Sequence, residues 1–233
     1  MNFIFDLYGT LIDVWTNEKK RQPWVTLCTE LGASRLFWRR LRREYITLCK
    51  SKSKGESHEI ELLDVFRDML TKHGKDRSDA ERLALAFRQA STERLCLFDG
   101  VKEMLYRLRE TGAGVYLLSN AQACFTRHEL EICGLLPLFD DILLSSDVGA
   151  KKPSTEIFNI ALSRFGISAG ECVYVGNDMR DDVLGASRSG IESVYIKTEQ
   201  SGNYPELEPL NPTYTANSHA HLSELLLSLA VSN

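Results

Sequence analysis

Apolar and polar positions fall into two textures along the chain. Phe3, Ile4 and Phe5 form a short apolar, β-prone run that stops at Asp6, which predicts a buried strand almost at the first residue. Residues 6–11 then turn, with Gly9 free to take a positive φ. From about residue 24 to 90 the apolar positions recur at helical spacing. Trp24, Leu27, Cys28 and Leu31 make one set, and Leu36, Trp38, Leu41 and Tyr45 a second. Ile60, Leu63, Phe66, Met69 and Leu70 make a third, and Leu83, Ala86 and Phe87 a fourth. This predicts four helices and no strand, with loops at 51–55 and 72–76.

Beyond Phe98, Asp99 and Gly100 the texture alternates between strand and helix. Helices are predicted at 101–110, 125–133, 154–165 and 182–188, and strands at 114–119, 142–144, 172–176 and 193–196. The tail carries Pro205, Pro209 and Pro212 and reads as loop, with a closing helix at 221–229. Repeated strand–helix units with apolar strands imply a parallel sheet covered on both faces. The expected architecture is therefore α/β: a Rossmann-like core from residues 1–14 and 97–233, interrupted by an all-helical cap at 15–96.

Composition narrows the class only a little. The chain has 233 residues, 43% hydrophobic and 26% charged, as in ordinary globular proteins. A net charge of −4 argues against nucleic acid as the main partner. The basic run at Arg39, Arg40, Arg42 and Arg43 reads as a solvated helix face. Six cysteines show no CxxC pair and no zinc spacing, so they read as core thiols of a reducing compartment. The first residues lack the pattern of a signal peptide, and no stretch is long and apolar enough for a bilayer. A cytoplasmic protein without a membrane partner is expected.

The chemistry gathers where parallel strands end, the edge at which such sheets bind ligands. Asp6 follows the first predicted strand, and Ser119 and Asn120 the second. Asn177 and Asp178, with Asp181 and Asp182 behind them, follow the strand at 172–176, and Lys152 precedes Pro153 at a helix start. Each signal alone is ordinary: a capping carboxylate, a turn, a solvated lysine. Four at one sheet edge are not.

In that order the residues resemble the motifs of the haloacid dehalogenase superfamily. Asp6-Leu7-Tyr8-Gly9-Thr10-Leu11 resembles the first motif and Leu117-Leu118-Ser119-Asn120 the second. Lys152-Pro153, with Phe158 beyond, resembles the third. Val175-Gly176-Asn177-Asp178 through Asp182, then Gly185-Ala186, resembles the fourth. The resemblance spans essentially the whole chain, and the insert after the first motif resembles the cap of one subfamily. It implies Asp6 as covalent nucleophile, with Thr10, Ser119 and Asn120 contacting the transferred group or the nucleophile. Lys152 would offset charge, and Asp182 would orient Lys152 or act through a water. It also implies Mg2+ held by Asp6, the backbone carbonyl of Tyr8, and Asn177 or Asp178. The substrate would be a small anionic metabolite.

Two departures divide the functional reading. Family phosphatases carry a second Asp, a general acid, where this chain has Tyr8, and a phenol with an ordinary pKa near 10 is poor at that task. Tyr8 resembles instead the 2-haloacid dehalogenases, which need neither acid nor metal. Asn177 stands where the phosphatase pattern has Asp. The acidic fourth motif pulls toward a magnesium-dependent phosphatase, because crowded carboxylates recruit a cation. A phosphatase of weak turnover leads, a dehalogenase follows, and a binding or regulatory protein is third. Arg35, Arg39, Arg40, Arg42 and Arg43 are candidates to meet an anionic substrate, while Trp15, Trp24 and Trp38 read as core. Asp181 reads as a solvated helix residue.

Overall fold

The structure is a computed structural model that describes residues 1–207 and 209–231. Residues 208, 232 and 233, assigned with the core above, lie outside the described residues. The chain opens with β1 (Asn2–Phe5) and β2 (Ile12–Thr16). Four helices follow: α1 (Arg21–Glu30), α2 (Trp38–Lys52), α3 (Leu62–Lys72) and α4 (Ala80–Ser91). The chain returns through β3 (Thr92–Leu97), α5 (Val101–Glu110), β4 (Gly114–Ser119), α6 (Ala123–Ile132), β5 (Asp141–Leu144) and the short α7 (Ser145–Val148). It closes with α8 (Thr155–Phe165), β6 (Cys172–Gly176), α9 (Gly185–Arg188), β7 (Glu192–Ile196), β8 (Tyr214–Ala216) and α10 (His219–Val231).

Six strands form one parallel sheet in the order β5-β4-β1-β6-β7-β8. Alternation along each strand feeds two apolar layers. Phe3, Phe5, Val115, Leu117, Val173 and Val175 pack with α5 and α10 through Met104, Leu105 and Leu222. Ile4, Leu118, Leu143 and Tyr174 face the other way, toward Ile157, Phe158 and Ala161 of α8. This is the two-sided burial that the continuous apolar strands imply. It also places the ends of β1, β4 and β6 side by side, because β1 is central.

The four predicted helices of the insert are present. They enclose an apolar cluster of their own around Trp24, Tyr45, Phe66 and Phe87, whose rings meet at 5.0–5.9 Å. The structure adds three strands to those read from sequence. β2 and β3 pair antiparallel as a two-stranded ribbon through which the chain enters and leaves the insert. Its residues mix charged and apolar types, because much of the ribbon is solvent-facing, so no strand pattern stands out. β8 is a three-residue edge strand, too short for a period to show. Trp15, read as core, lies on the ribbon at 43% exposure with Arg94 stacked on its ring. Trp24 is buried as expected, and Arg39, Arg40 and Arg43 are exposed as a helix face should be. All six cysteines are free: Cys28, Cys133 and Cys172 are buried, while Cys96, on the ribbon, is exposed and departs from the core reading. Among the described residues, no helix is long and apolar enough to cross a membrane.

Candidate active site

Asp6 ends the central strand, and its amide is bonded to the Val175 carbonyl of the neighbouring strand at 2.8 Å. That bond ties the carboxylate to the sheet rather than to a loose loop. The two oxygens of Asp6 have different surroundings. Oδ1 accepts from Ser119 Oγ at 2.9 Å and from Lys152 Nζ at 2.7 Å. Oδ2 has only the Thr10 hydroxyl, 3.3 Å away. That hydroxyl also lies 3.0 Å from Asn177 Oδ1, and its one proton serves a single acceptor at a time. Oδ2 is thus the under-bonded oxygen of a carboxylate that is only 7% exposed.

Lys152 is the hub beneath Asp6. Its ammonium donates to Asp6, to Asp182 Oδ1 at 2.6 Å and to the Tyr174 hydroxyl at 2.7 Å, which exhausts its three protons. Burial alone would favour the neutral amine, but Asp182 and Asp6 outweigh it and hold Lys152 protonated well above its usual range. The reverse holds for Asp182. Burial, with the like charge of Asp6, pushes its carboxyl up to about 7 against the pull of Lys152. One cation therefore serves two buried carboxylates.

Local backbone explains how these groups meet. Gly9 has φ +82°, and a side chain there would collide with the Asn177 amide. Gly176 leaves room for the Asp182 carboxyl to fold back under the end of β6. Residues 179–184 wind as a wide π-type turn, with the Asp182 and Val183 amides both bonded to the Asp178 carbonyl. The Asp178 side chain caps this turn: Oδ1 accepts from the amides of Arg180 and Asp181, and Oδ2 from the Tyr204 hydroxyl. Asn120 clamps the backbone of Lys152 through both of its amide atoms, at 2.8 and 3.0 Å, and donates to Asp181.

Asp6, Tyr8, Ser119, Asn120, Lys152, Asn177, Asp178 and Asp182 line one small cavity of about 170 Å3, and Thr10 bonds to two of them. Among the described residues, no three His, Cys, Asp or Glu side chains form a metal cluster. Asp181 corrects the sequence reading: it lines the cavity, half-buried and bonded to Asn120, and burial raises its pKa. Tyr174 was not singled out, since a tyrosine in an apolar strand carries no signal beyond its polar tip. The side chain of Tyr8 turns toward the seam between insert and core. Its hydroxyl donates to Glu129 and lies 2.9 Å from Thr126 Oγ1. Glu129 in turn pairs with Arg88 of α4 at 2.6 Å. Burial and the charge of Glu129 push the phenol above its ordinary range. The sequence held one clue to Glu129, an acid on the stripe of Phe125, Thr126 and Leu130 that faces the core.

A parallel α/β sheet that presents a carboxylate and a hydroxyl from adjacent strand ends, over a buried lysine from the loop before α8, points to a hydrolase with an aspartate at its centre. The chain belongs to the haloacid dehalogenase-like hydrolases, whose family model matches residues 1–190. It is 29% identical over 172 residues to ribulose-1,5-bisphosphate 5-phosphatase of Halopiger xanaduensis, covering 73% of this chain and 70% of that one. It is 27% identical to (S)-2-haloacid dehalogenase 4A of Burkholderia cepacia, covering 96% and 93%. The solved structure of a 2-haloacid dehalogenase from Pseudomonas syringae pv. tomato superposes with a TM-score of 0.69 at 21% identity, covering 98% and 99%. That last likeness concerns the fold.

Proposed function

We propose that this chain is a magnesium-dependent phosphomonoester hydrolase acting on a small phosphorylated metabolite. The carrying observation is the charge balance around Asp6: among the described residues its one ion-pair partner, Lys152, is already shared with Asp182. A phosphate dianion entering a cavity that also holds Asp178 and Asp181 needs further positive charge. The donors at hand are carboxylate, amide and carbonyl oxygens, which suit Mg2+. Asp6, the Tyr8 carbonyl and Asn177 Oδ1 would hold the ion, while Asp178 is committed to its cap. Bound there, Mg2+ supplies charge neutralisation for the transferring group.

Asp6 Oδ2 attacks phosphorus, the ester P–O bond breaks, and an aspartyl phosphate forms. Ser119 and Lys152 hold Oδ1 fixed during the attack. Water then attacks the phosphorus, releasing inorganic phosphate and restoring the carboxylate. The departing alkoxide takes its proton from water, because the Tyr8 hydroxyl is spent on Glu129 and Thr126. Turnover should therefore favour good leaving groups. The helical insert acts as a cap that shields the site from water. The phosphatase relative adds support of the same kind.

A 2-haloacid dehalogenase is the second reading. Tyr8 favours it, since displacing halide needs no acid, and so does the full-length dehalogenase relative. Against it, a haloacid carboxylate would meet an acidic cavity. The discriminating assay uses chelated protein with an aryl phosphate or with L-2-chloropropionate. Phosphate release that returns only with magnesium, and is lost in Asp6→Asn, supports the phosphatase. Halide release that ignores chelation overturns it.

A further inference from the structure

A second cavity abuts the Asp6 site and carries the opposite character. It measures about 350 Å3, and Asn120, Lys152 and Asp181 line both spaces. Its remaining walls include Lys151 and Arg180, which do not line the Asp6 cavity, and Glu56 from the insert. Among the described residues, neither Lys151 nor Arg180 forms an ion pair. Lys151 is anchored through its backbone, whose amide donates to the Ser57 carbonyl at 3.1 Å, and it lines the groove. Arg180 sits on the turn capped by Asp178.

The small cavity has room for a phosphoryl group and little else, so the rest of a substrate must leave it. On the far side, a larger groove shares only Gln200 with the Asp6 cavity. Of its cations, Arg94 is already paired with Asp13 at 3.0 Å, which leaves Lys197 alone, with Glu199 lining the same groove. The basic groove shares three wall residues and offers two unpaired cations. A guanidinium and an ammonium lining one groove suit a carboxylate or phosphate, with charge-assisted hydrogen bonds.

We infer that Lys151 and Arg180 form a subsite for a second anionic group, carboxylate or phosphate, on the leaving portion of the substrate. The inference rests on the phosphatase reading and specifies its substrate class: phosphomonoesters bearing another negative charge a short distance away. Glu56, at the mouth, opposes that charge and tempers affinity.

The test compares kcat/KM for alkyl phosphates, carboxyalkyl phosphates and alkane bisphosphates of matched chain length, with magnesium present. The expected result is a preference of about tenfold or more for a doubly anionic series. The better of the two identifies the group. In Lys151→Met and Arg180→Met that ratio should fall toward one, mainly through KM, and in Glu56→Gln it should rise. Equal kcat/KM across the three series, with Asp6-dependent phosphate release, would overturn the subsite and leave the phosphatase reading standing. A preference that survives both methionine variants would also overturn it. Release of phosphate from none of them would overturn both.

Discussion

Two clusters of buried charge among the described residues are built to different balances. At the sheet edge, Lys152 serves Asp6 and Asp182, one cation against two carboxylates, all nearly inaccessible. At the seam between α4 and α6, Arg88 forms its ion pair with Glu129, to which the Tyr8 hydroxyl donates, and that hydroxyl also bonds to Thr126. Arg88 also stacks on the rings of Tyr8 and Phe125. The seam is neutral and satisfied, as buried pairs must be if they are to do no more than fasten two parts. The edge cluster is left with surplus negative charge. That surplus is the observation on which the proposed magnesium site rests.

Removing each cation sharpens the contrast most. Lys152→Met strands two carboxylates in the core and should lower unfolding free energy by about 3–5 kcal/mol, read by urea titration. Arg88→Met strands one carboxylate at a less enclosed seam and should cost about 2 kcal/mol. Adding Glu129→Gln to Arg88→Met should restore part of that loss. If Lys152→Met cost no more than Arg88→Met, the edge cluster would not be the more strained of the two.

Acidity separates the clusters next. The Asp182 carboxyl is raised to about 7, so near neutral pH the fold carries its ionised form at a cost that acid relieves. The stability this lends is fully present below the ordinary carboxylate range and is lost as pH rises through about 7. Between about pH 4 and pH 7, wild type should lose up to about 1.4 kcal/mol per pH unit relative to Asp182→Asn, and the difference should level off above about pH 7. Parallel stability curves from pH 4 to 7 would sink this account.

The smallest effect concerns Tyr8. Tyr8→Phe keeps the ring and the backbone carbonyl and removes two hydrogen bonds, at a cost of about 1 kcal/mol. Turnover of an aryl phosphate should change by less than about threefold, a shift within 1 kcal/mol. A hundredfold loss would give the hydroxyl a chemical role and contradict its assignment to the seam.

Much of the architecture was legible because burial writes itself into period. The strands at 114–119 and 172–176 and the helix at 101–110 match in full, since each turns a regular apolar set toward a layer. The ribbon of β2 and β3 was not legible, because much of it faces solvent and so lacks that period. Asp6, Ser119 and Lys152 were legible by their place after strands or before a helix. Asp181 was misread because its exposure depends on a π-type turn and on Asn120, a residue 61 positions away.

By itself, the order of residues determined the alternation of strand and helix, the helical insert and the set of polar groups at the sheet edge. Those follow from local period and from where apolar runs stop. Tertiary structure alone decided which oxygen of Asp6 is left under-bonded, that Tyr174 completes the Lys152 cluster, and that the Tyr8 phenol turns away to Glu129. It also decided that Lys151 and Arg180 share a groove with the site. Each depends on groups far apart in the chain, and the charge balance of a buried site is a sum over neighbours in space.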